Sequence, residues 1–407
     1  MSTEMPRLRN VNAFPVNLSG RQVICLQDPY HFNDEPVFVP ENVFFIISLF
    51  DGNHSILDIQ EQYVRRYGDI IMSDKIRKII DDLDSALMLE SVRFEEYRKK
   101  VAQDFAESPL RIAMFAGELY QSDPDLLKDQ LGSFFDSDEG PGQPDLAKET
   151  SDKIRGIIAP HIDLARGGTC YAYAYKEIAE NLEPDLFIIL GTSHSQSENL
   201  FILTEKDFLT PLGVAKTDKD IVRSIADKYK SNLFKDELIH KFEHSIEFQV
   251  IFLQFLFGEN VRIVPILCSS FREMITSNTA PSKMPEFADF VSILKEVVSD
   301  NGGYLISSAD LSHVGRKFGD DIELSSGLLD LIKSRDLEML KYIEQLDAER
   351  FFSSIQETHD ERNICGLSPI YTMLSAMNAS HGKLLKYSQS PDYHTESVVS
   401  FASMSFV

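Results

Sequence analysis

A chain of 407 residues is too long for one ordinary hydrophobic core, and 43% hydrophobic with 26% charged residues is the make-up of a soluble globular protein. Asp and Glu outnumber Lys and Arg by 64 to 40, and the resulting net charge of −24, with no local basic face to offset it, argues against a nucleic-acid partner. No run approaches the roughly 18–20 apolar residues that cross a bilayer, the opening MSTEMPRLRNVNAF lacks an apolar leader core, and Cys25, Cys170, Cys268 and Cys365 lack the spacing of a zinc knuckle or disulfide framework, so free thiols in a cytoplasmic protein are expected.

Residues 1–105 read as a unit of their own. RQVICLQDP and EPVFVP are predicted short strands around a turn, and ENVFFIISLF begins a helix. In SILDIQEQYVRRYG, Ile56, Ile59 and Val64 recur near helical spacing; in SDKIRKIIDDLDSALML, Ser73 is the expected N-cap and Ile76, Ile79, Ile80 and Leu83 form one stripe. Small strands beside three short helices predict an α+β winged helix. Its third helix alternates Lys75, Arg77 and Lys78 with Asp81, Asp82 and Asp84, a poor surface for reading DNA, so a peptide or protein partner is expected. The pattern ICLQDPYHFND, then FDGNHSILDIQEQYVRRYG, then a helix ending Leu-Met-Leu, resembles the PqqD-like domains, which hold peptide substrates for modifying enzymes.

FEEYRKKVAQDFAE is predicted to leave this unit as a helix, and residues about 134–152, FFDSDEGPGQPDLAKETSD, to form an exposed acidic loop. From Ile154 the rhythm changes. The apolar runs IRGIIAP, DLFIILG, VRIVPILC and GGYLISS have strand length, and amphipathic segments such as CYAYAYKEIAENLE, KDIVRSIADKYK and SIEFQVIFLQFLF lie between them. Continuous Val/Ile/Leu strands separated by helices predict an α/β fold with a mostly parallel central sheet flanked by helices.

Polar residues follow each run: His161 and Asp163 after the first; Thr192, Ser193 and His194 after the second; Ser269 and Ser270 after the third; Asp310, Ser312 and His313 after the fourth. In parallel sheets ligands bind outside the carboxyl ends of the strands, so these side chains are expected to converge. A single histidine beside a strand is ordinarily a structural residue bonded to backbone; His161, His194 and His313 at three strand ends point to a site. In KFEHSIEFQ, the helix dipole explains Glu243 and Glu247 but disfavours a cationic His244, and a neutral His244 suits acid/base work. Imidazoles with an oxygen ligand suit a divalent first-row metal, and a two-His-one-carboxylate set suits Fe(II), with zinc or copper as alternatives. GTSHS and SSADLSH place Ser beside His, but there is no G-x-S-x-G elbow for a serine hydrolase.

RGIIAPHIDLARGG, ILGTSHS, EHSIEFQ, SSADLSHVG and NICGLSPI occur in the order and approximate spacing of the Memo family, whose bacterial members are called AmmeMemoRadiSam system protein B. FAGELYQSDPDLLKDQLGSFF resembles that family's first strand and helix, so the likeness covers residues 109–407. It implies the fold of class III extradiol dioxygenases, non-haem iron enzymes that insert O₂ into catechols. It also implies His161 and His194 as metal ligands and His244 at the acid/base position, with His313 and Asp310 as further catalytic candidates. The third metal position is a cysteine in animal Memo proteins and a glutamate in the dioxygenases; SSADLSH puts Ser312 there, leaving Asp310, a water or a weakened site. Cys365 and Gly366 of NICGLSPI are assigned to shaping the pocket wall. Two functions follow: an iron-dependent oxidoreductase acting on a small-molecule or peptide substrate, or a non-catalytic adaptor working with a radical SAM enzyme.

Overall fold

Alternation of apolar and polar residues along the chain resolves, in a computed structural model describing residues 5–18, 20–33, 35–145, 153–181 and 186–407, into two units, Met1–Glu107 and Ser108–Val407. In the first, β1 (Asn12–Leu18), β2 (Arg21–Gln27) and β3 (Val37–Val39) form an antiparallel sheet in that order. Sequence reading misses β1 because nearly every residue of NAFPVNL is exposed and Pro15 interrupts it, leaving no alternation to detect. Four helices follow: α1 (Glu41–Ile47), α2 (Ile56–Tyr67), α3 (Ser73–Ser85) and α4 (Val92–Glu107). A Ser55–Asp58 capping box starts α2, and Ile56, Ile59 and Tyr63 are its buried stripe, whereas the expected Val64 faces solvent. Met72, not Ser73, occupies the N-cap of α3; the Ser73 hydroxyl instead bonds Gln60 Oε1 at 3.3 Å.

The second unit runs β4 (Leu110–Ile112), α5 (Pro124–Asp136), β5 (Gly156–Ala159), α6 (Leu164–Asn181), β6 (Phe187–Thr192), β7 (Phe201–Leu203), β8 (Asp207–Thr210), β9 (Gly213–Thr217), α7 (Lys219–Lys228), α8 (Ile239–Phe242) and α9 (Ser245–Phe257). It continues with β10 (Arg262–Cys268), α10 (Arg272–Thr276), α11 (Pro285–Asn301), β11 (Tyr304–Ser308), β12 (Asp310–Gly315), α12 (Ser326–Glu344), α13 (Ala348–Gln356), α14 (Leu367–Ala376), β13 (Gly382–Asp392) and β14 (Ser397–Phe406). The sheet order is β12-β14-β5-β11-β6-β10-β9-β8-β4, with β13 on β14 and β7 on β10. Its centre, β5-β11-β6-β10, is parallel; β14 and β12 add antiparallel strands, so the sheet as a whole is mixed. Successive residues of one strand enter different cores: Ile157, Phe187 and Ile189 pack with α5, α6 and α9, while Ile158, Ile188 and Leu190 pack with α11 and α14.

Two expectations need revision. The acidic loop begins later than residue 134, because Phe135 is buried as the last apolar contact of α5; Ser137–Asp145 is irregular, and residues 146–152 lie outside the described residues. GGYLISS is followed by strand β12, not by a loop, and one residue too many between Asp310 and His313 makes a bulge against β14. Among the described residues, no helix is long and apolar enough to cross a membrane.

Candidate metal centre

The parallel centre of the sheet fixes where the polar strand ends meet. His161 lies two residues past β5 and His194 two past β6, strands separated only by β11. Helix α9 knits these ends together: Ser245 Oγ donates to the Thr192 carbonyl at 2.8 Å, and Gln249 Nε2 donates to the Pro160 carbonyl at 2.8 Å and to Ser308 Oγ at 2.7 Å. Gly191 permits the approach, since a Cβ there would meet Ile246 at 2.6 Å and Ser245 Oγ at 2.7 Å. The rings of His161, His194 and His244 consequently cluster, with centroids 5.0 Å apart for His161–His194, 5.0 Å for the stacked His194–His244 pair and 5.5 Å for His161–His244.

Each of the first two imidazoles has one nitrogen committed to oxygen. His161 Nδ1 lies 3.1 Å from the Ser308 carbonyl, which can only accept, so that nitrogen carries the proton and Nε2 presents a lone pair. His194 Nδ1 lies 3.1 Å from Glu243 Oε2, which also accepts from the His194 backbone N–H at 2.9 Å. An outer oxygen holding the remote nitrogen is the usual support for a metal-ligating histidine. Cys365 Sγ stands 3.3 Å from His161 Nε2, and one ligand atom each from His161, His194 and Cys365 all lie within 4.8 Å of one another. Metal–nitrogen bonds of about 2.1 Å and metal–sulfur bonds of about 2.3 Å place N and S about 3.5 Å apart on a tetrahedron. The donor set therefore fits a borderline first-row metal ion.

Electrostatics separate the roles. Burial, then the neighbouring His194, pull the His161 pKa down to about 3, so the ring is neutral and ready to ligate. His244 is likewise lowered to about 3, chiefly by burial; its Nδ1 lies 3.2 Å from Glu243 Oε1, leaving Nε2 to accept a proton. For His194, whose side chain is 42% exposed, burial opposes the charge but the Glu243 carboxylate overcomes it and the pKa rises above its ordinary value. Burial pushes the Cys365 thiol well up and the Asp310 carboxyl to about 6.

The structure brings together His161, His194, His244 and Asp310, whose Oδ1 accepts from the His161 N–H at 3.0 Å while Oδ2 lies 3.7 Å from His161 Nε2. His313 stands at the margin, its Nδ1 3.1 Å from the Leu311 carbonyl and its pKa lowered to about 4 chiefly by burial. Ser312 does not join them. The bulge in β12 turns it to the other side, where its hydroxyl donates to Asp336 at 2.7 Å and accepts from Arg362 at 3.3 Å. The side chain beside the two histidines is Cys365, beyond the pocket-shaping part expected of it, and Gly366 lets it approach: a Cβ on Gly366 would meet the Asp310 carbonyl at 2.4 Å. Asp163 serves the start of α6, accepting from the Arg166 N–H at 3.1 Å and pairing with its side chain.

The two glutamates of EHSIE do more than answer the helix dipole. Glu243 orients His194, and Glu247, fully buried, pairs with Arg111 and accepts from the N–H groups of Met114 and Phe115 and from the Tyr120 hydroxyl. Arg111 also donates to the Glu243 carbonyl at 2.7 Å, fixing the residue that holds His194. Its only sequence signal is an arginine inside the short strand LRI.

A mixed α/β sheet with a parallel centre carries a histidine–cysteine cluster at the carboxyl edge of that centre, and comparisons with known proteins specify the family. The family model described as Memo-like protein matches residues 111–405. A MEMO1 family protein of Aquifex aeolicus is 31% identical over 386 residues, covering 94% of this chain and 95% of its own length. MEMO1 family proteins of Methanopyrus kandleri (28% identical, 72% of this chain and 96% of their own) and Nitrosopumilus maritimus (25%, 73% and 100%) are shorter matches. The chain belongs to the Memo family.

Proposed function

We propose that this Memo protein is a metal-dependent oxidoreductase with Fe(II) held by His161, His194 and Cys365, related in chemistry to extradiol dioxygenases. The observation that carries the reading is the convergence of three ligand atoms, with the remote nitrogens of both histidines already bonded to oxygen. When bound, the ion supplies Lewis acidity and redox chemistry toward O₂ and a hydroxylated substrate. The protein's own part is proton handling and placement. Neutral His244 accepts a proton from a substrate hydroxyl at Nε2, and Glu243 behind its Nδ1 stabilises the imidazolium that forms. Phe115 and Phe248, with ring centroids 5.6 and 5.2 Å from His244, pack against that ring and limit how it can turn. We further propose that the first unit, shared in extent with the Aquifex relative but beyond the shorter archaeal matches, recruits a peptide or protein partner such as a radical SAM enzyme.

The test is anaerobic reconstitution with ferrous salt, elemental analysis, then oxygen uptake with a panel of catechols. Near one iron per chain with substrate-dependent uptake supports the reading, and His244→Gln should keep the iron while losing uptake by at least about a hundredfold, as for removal of a general base. Iron retained by His161→Ala combined with His194→Ala would remove the proposed centre.

A further inference from the structure

The two sides of the small sheet β1-β2-β3 differ. Residues directly opposite on antiparallel strands share a side, so the register puts Phe14, Cys25 and Phe38 in one row, with the pairs Val16–Val23 and Leu18–Arg21 on the same side. Ile24, Leu26, Val37 and Val39 point the other way, into the core built with α1, α2 and α3. The first side has no such cover within its own unit: Phe14, Leu18 and Phe38 are 37%, 43% and 46% exposed, and none of them joins that core. Asn12 and Gln27 close one end of it and Arg21 the other, and it carries no carboxylate. Asp and Glu outnumber Lys and Arg by 64 to 40 in the whole chain, so an apolar side whose single charge is an arginine stands apart from the rest of the surface. Arg21 makes no ion pair among the described residues. Because β3 pairs only with Ile24–Leu26, the hairpin from Val16 to Val23 runs past it as a two-stranded ribbon, with Asn17 and Gln22 exposed on its reverse. A bare ribbon of that kind is marginal in water, and cover on its apolar side stabilises it.

We infer that this side docks an amphipathic helix of a protein partner, with the helix's apolar stripe on Phe14, Val16, Val23 and Phe38 and a carboxylate beside Arg21. The platform is roughly 10 Å wide where β3 joins and roughly 23 Å long, the width of one helix and the length of about fifteen of its residues. An added strand along β1 is a poorer occupant, since Pro15 is the kind of residue that blunts a sheet edge. A second copy of this chain is poorer too. It offers Arg21 only the same carboxylate-free side, and so small a platform falls well short of the roughly 800 Å² that each partner contributes to a stable complex of two folded chains. The inference rests on the recruiting part proposed for the first unit and is independent of the metal centre.

The probe is a displayed library of random helical peptides about fifteen residues long, selected on the full chain, with the affinity of the winning peptide read by fluorescence anisotropy. Winners should carry an apolar stripe at i, i+3, i+4 and i+7, with Asp or Glu toward one end. Phe14→Ser and Phe38→Ser should each weaken binding about tenfold or more, as expected for losing a half-exposed ring from the contact. Arg21→Glu should weaken it by about tenfold, and changing the peptide's carboxylates to Lys should restore binding to that variant. All three residues are at the surface, so Tm is expected to stay at the wild-type value, and the charge swap reads the contact even where a serine variant lowers it. Winners that lack the stripe or the carboxylates, or a swap without restoration, overturn the inference. Binders indifferent to all three substitutions overturn it while leaving the first unit its recruiting part through another surface, and a library that yields no binder counts against both. A concentration-dependent dimer dissolved by Phe14→Ser would give this side to a second copy and overturn the helix.

Discussion

Replacing Asp336 by Ala tests how the loop that delivers Cys365 is held. Asp336 is fully buried in α12 and accepts from Ser312 Oγ at 2.7 Å, Tyr387 Oη at 2.9 Å and Ser400 Oγ at 2.5 Å, and it pairs with Arg362. Burial raises its pKa even though the hydroxyl hydrogen bonds and the Arg362 charge pull the other way. Arg362, three residues before Cys365, also accepts the His313 N–H on its carbonyl at 2.7 Å. His359, Asp360 and Asn363, on either side of Arg362, all take positive φ, and the ion pair joins the Asn363 Nδ2 bond to the His313 carbonyl and the Ile364 N–H bond to Asp360 in tethering the segment. Asp336→Ala leaves the Arg362 charge buried and three hydroxyls short of an acceptor, a loss of about 3–5 kcal/mol. For a unit of this size that is a fall in Tm of roughly 6–20 °C by calorimetry. Because Cys365 loses its anchor, zinc affinity should drop as well, by about tenfold or more. A Tm within about 2 °C of wild type and unchanged zinc affinity would refute the tethering argument.

Glu243→Gln removes the anionic partner of His194 Nδ1, and metal affinity measured against a competing chelator should fall by about 10–100-fold; no change would remove Glu243 from the site. Arg111→Met strands buried Glu247 without its cation and should cost about 3–5 kcal/mol in denaturant unfolding, with Glu247→Gln as a partial rescue in the double variant. Zinc affinity should rise with pH. His161, held at about 3, releases no proton on binding, the raised Cys365 thiol releases one, and His194 releases a second below its own raised pKa. A slope of about tenfold per pH unit is expected in the alkaline range and a steeper one below it, whereas a flat profile between pH 6 and about 8 would contradict the ligand set. In the metal-free chain the Asp310 pKa is raised from about 3.9 when unfolded to about 6 by burial, so the folded state binds its proton more tightly. The stability this group contributes is present below about pH 4 and lost as pH rises through about 6, of order 3 kcal/mol, and Asp310→Asn should flatten that slope in urea titrations.

What the sequence discloses, and what it hides, follows from the kind of signal each residue leaves. The strands β5, β6, β10 and β11 are covered on both faces, so their unbroken apolar runs stand out, and the parallel sheet then implies that His161 and His194 share an edge. Cys365 has no such signal. It follows an irregular segment with left-handed residues, and only contacts more than fifty residues apart in sequence, to His161 and Asp310, bring it in. Ser312 was the more legible candidate because it follows the strand GGYLISS, but parity along a strand fails at a bulge, and a bulge leaves no mark in composition. Glu243 and Glu247 satisfy a simple helix-start rule, which hides their pairing with His194 and Arg111.

The most direct test of the metal centre is anaerobic titration of the full chain with Co(II), followed by its thiolate-to-metal charge-transfer absorption. One equivalent should develop the band, and Cys365→Ser should abolish it while Ser312→Ala leaves it intact. A band that persists without Cys365, or its absence from the wild-type chain at saturating cobalt, would contradict a centre built from His161, His194 and Cys365.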